Sequence, residues 1–181
     1  MQIRRDFVPP IAAQIMMVVS AIALKGRAAA VATITVSNEI AAPIRQVFDY
    51  FTDVGSGADH VSGIKKIAML TPGKFGLGTR WLETREVLGV TDSAEMEVTS
   101  FERDRTYTIT HHKGGVRIDT AFWFDPIGTD LTRVTVEFEL DSSGLPPGLL
   151  TPLNWAIAGK VRDVIGHDLA DLKTSLEKQL P

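Results

Sequence analysis

The 181-residue sequence predicts an α+β domain in which a curved antiparallel sheet is crossed by one long C-terminal helix. Two observations predict it. From Val31 to Leu140, apolar and polar residues alternate in one strand-length run after another, divided by short breaks marked by glycine, proline or charge. From Thr151 to Leu180 the period changes: Leu153, Ile157, Val161, Ile165, Leu169, Leu172, Leu176 and Leu180 recur every three or four residues, the stripe of a helix lying on an apolar surface. About 28 residues at about 1.5 Å each make a helix roughly 42 Å long, enough to cross a small sheet. A helix laid over a curved sheet leaves space between them, and function is expected there.

Length and composition bound the problem. With 44% hydrophobic and 23% charged residues, the chain is sized for one globular domain with a sizeable core. Met1 to Ala30 carries Arg4, Arg5, Lys25 and Arg27 against Asp6, a net +3; since the whole chain carries −3, the remainder carries −6. An acidic domain repels phosphate backbones, so nucleic acid is not an expected partner. The absence of cysteine excludes disulfides and thiol chemistry.

The first thirty residues form a separate unit. Arg4 and Arg5 precede an apolar run from Ile11 to Leu24, and Ala21-Ile22-Ala23 or Ala28-Ala29-Ala30 could serve as a cleavage site, so the segment resembles a secretory signal. Lys25 and Arg27 place positive charge where signals usually avoid it. A dispensable leader and a helix resting on the membrane or on the domain therefore stand beside export, and localisation stays open between cytoplasm and envelope. On every reading the functional domain spans 31–181.

Each element has its own justification. Val31 to Ile40 alternates as a half-buried strand, and Pro43 opens a short helix whose Ile44, Val47, Phe48 and Phe51 share one face. Asp53 to Gly63, rich in glycine, aspartate and serine, suits a broken second helix or bend, and Ile64 to Leu70 is the next strand. Thr71 to Gly78 is a loop; its Gly73, Gly76 and Gly78 precede no GK[ST] motif, so a gate over the cavity is expected rather than a phosphate site. Five strands follow at Thr79–Leu88, Asp92–Phe101, Arg105–Lys113, Val116–Asp125 and Leu131–Leu140, with breaks short enough to make neighbours antiparallel. Thr151 is the expected N-cap and Pro152 the first turn of the long helix.

Parity assigns the faces. Val134, Val136, Phe138 and Leu140 face the long helix, as do Val116, Ile118, Thr120, Phe122 and Phe124, then Ala94, Met96 and Val98, and Tyr107, Ile109 and His111. The strand at Thr79–Leu88 is ambiguous, with apolar residues on both sides. If Trp81, Glu83 and Arg85 face inward, a buried carboxylate and guanidinium need partners and could polarise a ligand. Facing outward they are an ordinary solvated pair, the reading preferred here. Asp53, His60 and Arg117 are assigned to loop or surface roles.

Three residues carry candidate chemistry. His111 could exchange a proton near neutral pH, or be only a hydrogen-bonded histidine at the cavity mouth. Tyr107 could orient a ligand oxygen or simply form an amphipathic wall. Glu83 is the third. Adjacent His111 and His112 point to opposite faces, and no HxxxH or HExxH pattern exists, so neither a metal site nor a cofactor is expected. In the long helix, Trp155, Ala156, Ala158 and Gly159 follow Leu145-Pro146-Pro147-Gly148; small side chains opposite a concave sheet leave volume for a ligand, or else pack on the helix of 43–51.

The segments APIRQVFDYFTDV (42–54), GLGTRWLETREVLG (76–89), FERDRTYTIT (101–110), GTDLTRVTVEFEL (128–140) and HDLADLKTSLE (167–177) resemble the START-like (SRPBCC) superfamily, in particular its bacterial polyketide cyclase/dehydrase and lipid-transport branch. The resemblance covers residues 31 to 180 and implies the helix-grip fold, with an apolar cavity holding a hydrophobic small molecule such as a lipid, isoprenoid or polyketide. Met96, Val98, Tyr107, Ile109, His111, Ile118, Thr120, Phe122, Val136 and Phe138 are then the expected walls and Leu153, Ile157 and Val161 the lid. Other members imply two alternatives: a cyclase or dehydrase using Tyr107, His111 or Glu83, and a chaperone-activator-like interaction module.

Overall fold

Period-two alternation and short turns produce one meander. The computed structural model describes residues 31–87, 90–141 and 155–179. It contains β1 (Val31–Ile40), α1 (Ile44–Phe51), a 3-10 turn (Val54–Ser56), α2 (Gly57–His60), β2 (Ile64–Met69), β3 (Arg80–Val87), β4 (Val90–Glu102), β5 (Thr106–Lys113), β6 (Val116–Gly128), β7 (Leu131–Asp141) and α3 (Trp155–Glu177). The seven strands form one antiparallel sheet in the order β1-β7-β6-β5-β4-β3-β2. Only the β1–β7 pairing is non-sequential, and it sends the two short helices along one open side of the sheet while α3 lies across its concave face, the helix-grip arrangement.

Local chemistry explains the joints. Pro43 precedes α1 with an extended backbone, and α1 buries Val47, Phe48 and Phe51 on one face. The β5–β6 hairpin turns on Gly114 and Gly115, both at positive φ (59° and 84°), the backbone that matches strand twist in a two-residue turn. Gly57 lets α2 approach β2: a Cβ there would stand 2.8 Å from Ile67 Cδ1. In β4, Thr99 is an extra residue between the pairs Val98–Ile109 and Ser100–Thr108. This bulge switches the parity, so that Phe101 points inward although Val98 does too.

The core sits at one end of the concave face. Phe48 meets Phe101, Tyr107 and Phe124 edge-on at centroid separations of 5.8, 6.0 and 5.0 Å. Phe75 closes the cluster against Trp81, Phe101 and Tyr107. The loop expected to gate the cavity is thereby corrected: none of Thr71 to Gly78 lines the main cavity, because Phe75 pins that loop onto the aromatic core instead. At the same end Thr132 Oγ1 donates to the Ala42 carbonyl at 2.8 Å, Glu177 accepts from the Ala41 amide at 2.9 Å, and Lys173 Nζ donates to the Glu39 carbonyl. The leader, Leu145-Pro146-Pro147-Gly148, Thr151, Pro152 and Leu153 lie outside the described residues. Among the described residues no helix is long and apolar enough to cross a membrane.

Candidate functional site

Where the aromatic core ends, the sheet and α3 diverge around a cavity of about 370 Å³. Small-molecule sites are typically concave, largely apolar and about 300–1,000 Å³, so the volume is of ligand size. Met96, Tyr107, Ile109, His111, Ile118, Thr120, Phe122, Val136 and Phe138 line it, with Val161 from α3. Val98, expected in the wall, instead lies fully buried in the core: the bulge after it turns Phe101 inward and the two fill the floor together. Leu153 lies outside the described residues, as does the side chain of Ile157.

The preferred outward reading of Glu83 and Arg85 is wrong. Trp81, on the same face, is 1% exposed, and Glu83 and Arg85 line the cavity beside it. Parity could not decide this, because Leu82 supplies an apolar residue on the other face and is itself 39% exposed. The guanidinium is held on both sides. Its Nη2 donates to Asp168 Oδ2 of α3 at 2.8 Å, and its Nε stands 3.0 Å from Glu83 Oε1 as an ion pair without hydrogen-bond alignment. Trp81 Nε1 donates to the other Glu83 oxygen at 3.3 Å. Burial works to lower the Arg85 pKa, but Asp168 and Glu83 outweigh it and the net shift is upward. Burial likewise pushes the Asp168 carboxyl up against the pull of Arg85.

A second ion pair stands one strand away. Lys113 Nζ lies 2.7 Å from Asp92 Oδ2, and the hydrogen bond from Lys113 holds the Asp92 carboxyl low. Within electrostatic reach of Lys113 and Arg85 is His111, inward as parity predicts. Burial pushes its imidazole down to about 4, and the neighbouring His112 and Lys113 charges push the same way. His111 is therefore neutral at pH 7, able to accept or donate a hydrogen bond. Tyr107, by contrast, is buried and committed: its hydroxyl donates to the Phe51 carbonyl at 3.4 Å, its ring stacks on Phe122 at 4.7 Å, and burial pushes the phenol pKa up.

The short helices, the turn after them and β2 contribute wall residues that sequence reasoning missed. Tyr50, Val54, His60, Val61, Ile64 and Ile67 all line the cavity. The loop or surface role assigned to His60 is corrected, since it is half-buried at the cavity; Asp53 also borders the cavity but is, as assigned, an exposed loop residue, and Arg117 remains on the convex face, 3.0 Å from Asp119. The helical spacing of Tyr50 with Val54 was available as a signal, but the glycine-rich composition after it pointed to a loop. Nothing in one sequence links Arg85 to Asp168, which is 83 residues away. Among the described residues no group of three or more histidine, cysteine, aspartate or glutamate side chains is arranged to hold a metal ion.

Residues 31–177 match the model of the family described as polyketide cyclase / dehydrase and lipid transport. No curated protein matches the chain. Solved structures resemble it at the level of the fold. The Zhui aromatase/cyclase from a Streptomyces species has a TM-score of 0.69 at 16% identity, with 83% of this chain and 96% of that one covered. A START superfamily protein from Mycobacterium smegmatis gives 0.65 at 16% identity, covering 82% and 99%. Norcoclaurine synthase from Thalictrum flavum, in complex with dopamine and hydroxybenzaldehyde, gives 0.62 at 14% identity, covering 88% and 98%.

Proposed function

The chain belongs to the polyketide cyclase / dehydrase and lipid transport family, and from that premise we propose that it binds a hydrophobic small molecule, a lipid, isoprenoid or polyketide, between the sheet and α3. The observation that carries this reading is the cavity itself: about 370 Å³, walled mainly by apolar side chains of all seven strands and α3, with Arg85 and Lys113 each paired to carboxylates. An unfilled apolar space of this size is tolerated in a close-packed protein when a ligand occupies it. The pairing of Arg85 and Lys113 favours a neutral guest at the inner end of the cavity. Arg85 faces two carboxylates and Lys113 one, so neither is left over for an anionic head; Lys160 of α3, the remaining lysine at the cavity, is exposed to solvent.

A second reading, a cyclase- or dehydrase-type enzyme, is favoured by one observation: Glu83 and neutral His111 both border the cavity, where a proton could be taken up or returned. Tyr107 fits this role less well because Phe51 occupies its hydroxyl.

Nile red titrated into the full chain should bind at one site with a rise in fluorescence. Phe138→Arg, which puts a charge into the wall opposite α3, should abolish that binding while circular dichroism still reports a folded protein; unchanged binding by the folded variant would remove the proposed cavity wall. Native mass spectrometry of protein from its own host names any retained molecule. With that molecule, His111→Gln separates the two readings. A carrier keeps its affinity within about tenfold, roughly 1.4 kcal/mol, whereas an enzyme loses turnover far more than affinity.

A further inference from the structure

Polar groups in a cavity wall are either bonded to the protein or open to whatever fills the space. Most here are bonded: Tyr107 to the Phe51 carbonyl, Glu83 to Trp81, Arg85 to Asp168, His60 to Ser175 and Lys113 to Asp92. The His111 imidazole and the Thr120 hydroxyl are not. Both side chains line the cavity from half-buried positions, and among the described residues neither has a hydrogen-bond partner. The unpartnered side-chain atoms that are sealed from solvent belong instead to Tyr50, Arg85 and Asp104, so the His111 nitrogens and Thr120 Oγ1 keep accessible surface on the cavity side. Strand register brings the two together. His111 pairs with Ile118 and Ile109 with Thr120, which makes His111 and Thr120 diagonal neighbours on the concave face, about 7 to 8 Å apart along the backbone and closer at their tips. Along β5 they stand between the stacked rings of Tyr107 and Phe122 and the Lys113–Asp92 pair.

We propose that His111 and Thr120 together are the specificity-determining pair of this cavity, gripping one hydroxyl group of an otherwise apolar guest, an alcohol or a phenol. The inference rests on the binding reading above and narrows it. Burial keeps the imidazole neutral at pH 7, with one N–H donor and one bare acceptor nitrogen, and a threonine hydroxyl both donates and accepts. A guest hydroxyl matches that set, because it can donate to the imidazole while accepting from Thr120; a hydrocarbon leaves both groups without partners once it has displaced their water, and so binds less well. The apolar part of the guest then rests on the Tyr107 and Phe122 rings, toward the closed end.

The test uses the full chain at pH 7 and two probes of nearly equal size, 2-naphthol and 2-methylnaphthalene, each displacing Nile red. Thr120→Val, which exchanges a hydroxyl for a methyl group of the same shape, and His111→Leu should each weaken 2-naphthol about fivefold and leave 2-methylnaphthalene within about twofold of the wild type. In the double variant the loss should fall short of the product of the two single losses, because both groups hold the same oxygen. A loss shared equally by the two probes would show that only the shape of the cavity changed and would overturn the proposal. So would unchanged 2-naphthol affinity in Thr120→Val, or single losses that simply multiply. Failure of Nile red to bind the wild type would overturn the underlying cavity reading, a result separable from these.

Discussion

His111 shows how one residue ties the site to the stability of the fold. Its folded pKa, about 4, lies below the ordinary histidine value of 6.5. Above pH 6.5 the imidazole is neutral in both states and costs nothing. As pH falls from 6.5 to 4 the unfolded chain takes up a proton that the folded one refuses, so stability declines, and the loss is complete below about pH 4. At 1.36 kcal/mol per pKa unit the full loss is about 3 kcal/mol. His111→Phe, which keeps the bulk without the titration, should flatten that limb; urea midpoints between pH 7 and 4 that fall equally in both proteins would refute the assignment. The inward direction of His111 was legible from alternation alone, because Thr106, Thr108 and Thr110 fill the other face. Glu83 and Arg85 were not legible, since an ion pair buried by a distant aspartate has no local signature.

At the scale of elements, the strands were readable where one face is wet and the other dry. β5, β6 and β7 alternate cleanly, and Ile109, His111, Ile118, Phe122, Val136 and Phe138 border the cavity while Phe124 and Val134 lie in the core. β4 departs from simple alternation because Thr99 adds one residue, and strict parity would turn Phe101 to solvent. Deleting Thr99 should restore that parity, withdraw Phe101 from Phe48 and Phe75, and cost about 3 kcal/mol. Thr99→Ala, which keeps the bulge and loses only the 2.8 Å contact between the Thr99 and Thr110 hydroxyls, should cost about 1 kcal/mol. Equal urea-unfolding losses in the two variants would show that the bulge does not set the facing of Phe101. The long helix was legible as a stripe, and its described part, Trp155–Glu177, falls within the expected Thr151–Leu180. The short helices were blurred by Gly55, Gly57 and Gly63, which is why Tyr50 and His60 went unrecognised as wall.

For the whole molecule, the sheet is an open curve whose β1 and β2 edges never pair, and α3 with the short helices occupies the gap between them. The β2 edge carries Lys65 and Lys66, charges that discourage another strand from adding there. Among the described residues, the side-chain ties from α3 to the rest of the chain fall on Asp168, Asp171, Lys173, Ser175 and Glu177. Its earlier part, near Gly159, has room around it: an added Cβ there would meet nothing within 4 Å. Among the described residues the helix is thus tied by side-chain hydrogen bonds from Asp168 onward, as a cantilever is held at one end. Bending costs least where the fewest bonds are made, so a guest should enter by deflecting the turns around Lys160 rather than by parting strands. Amide exchange along α3 should accordingly slow from Lys160 toward Leu176, and a bound guest should protect the early turns most; uniform exchange along the helix would place the doorway elsewhere.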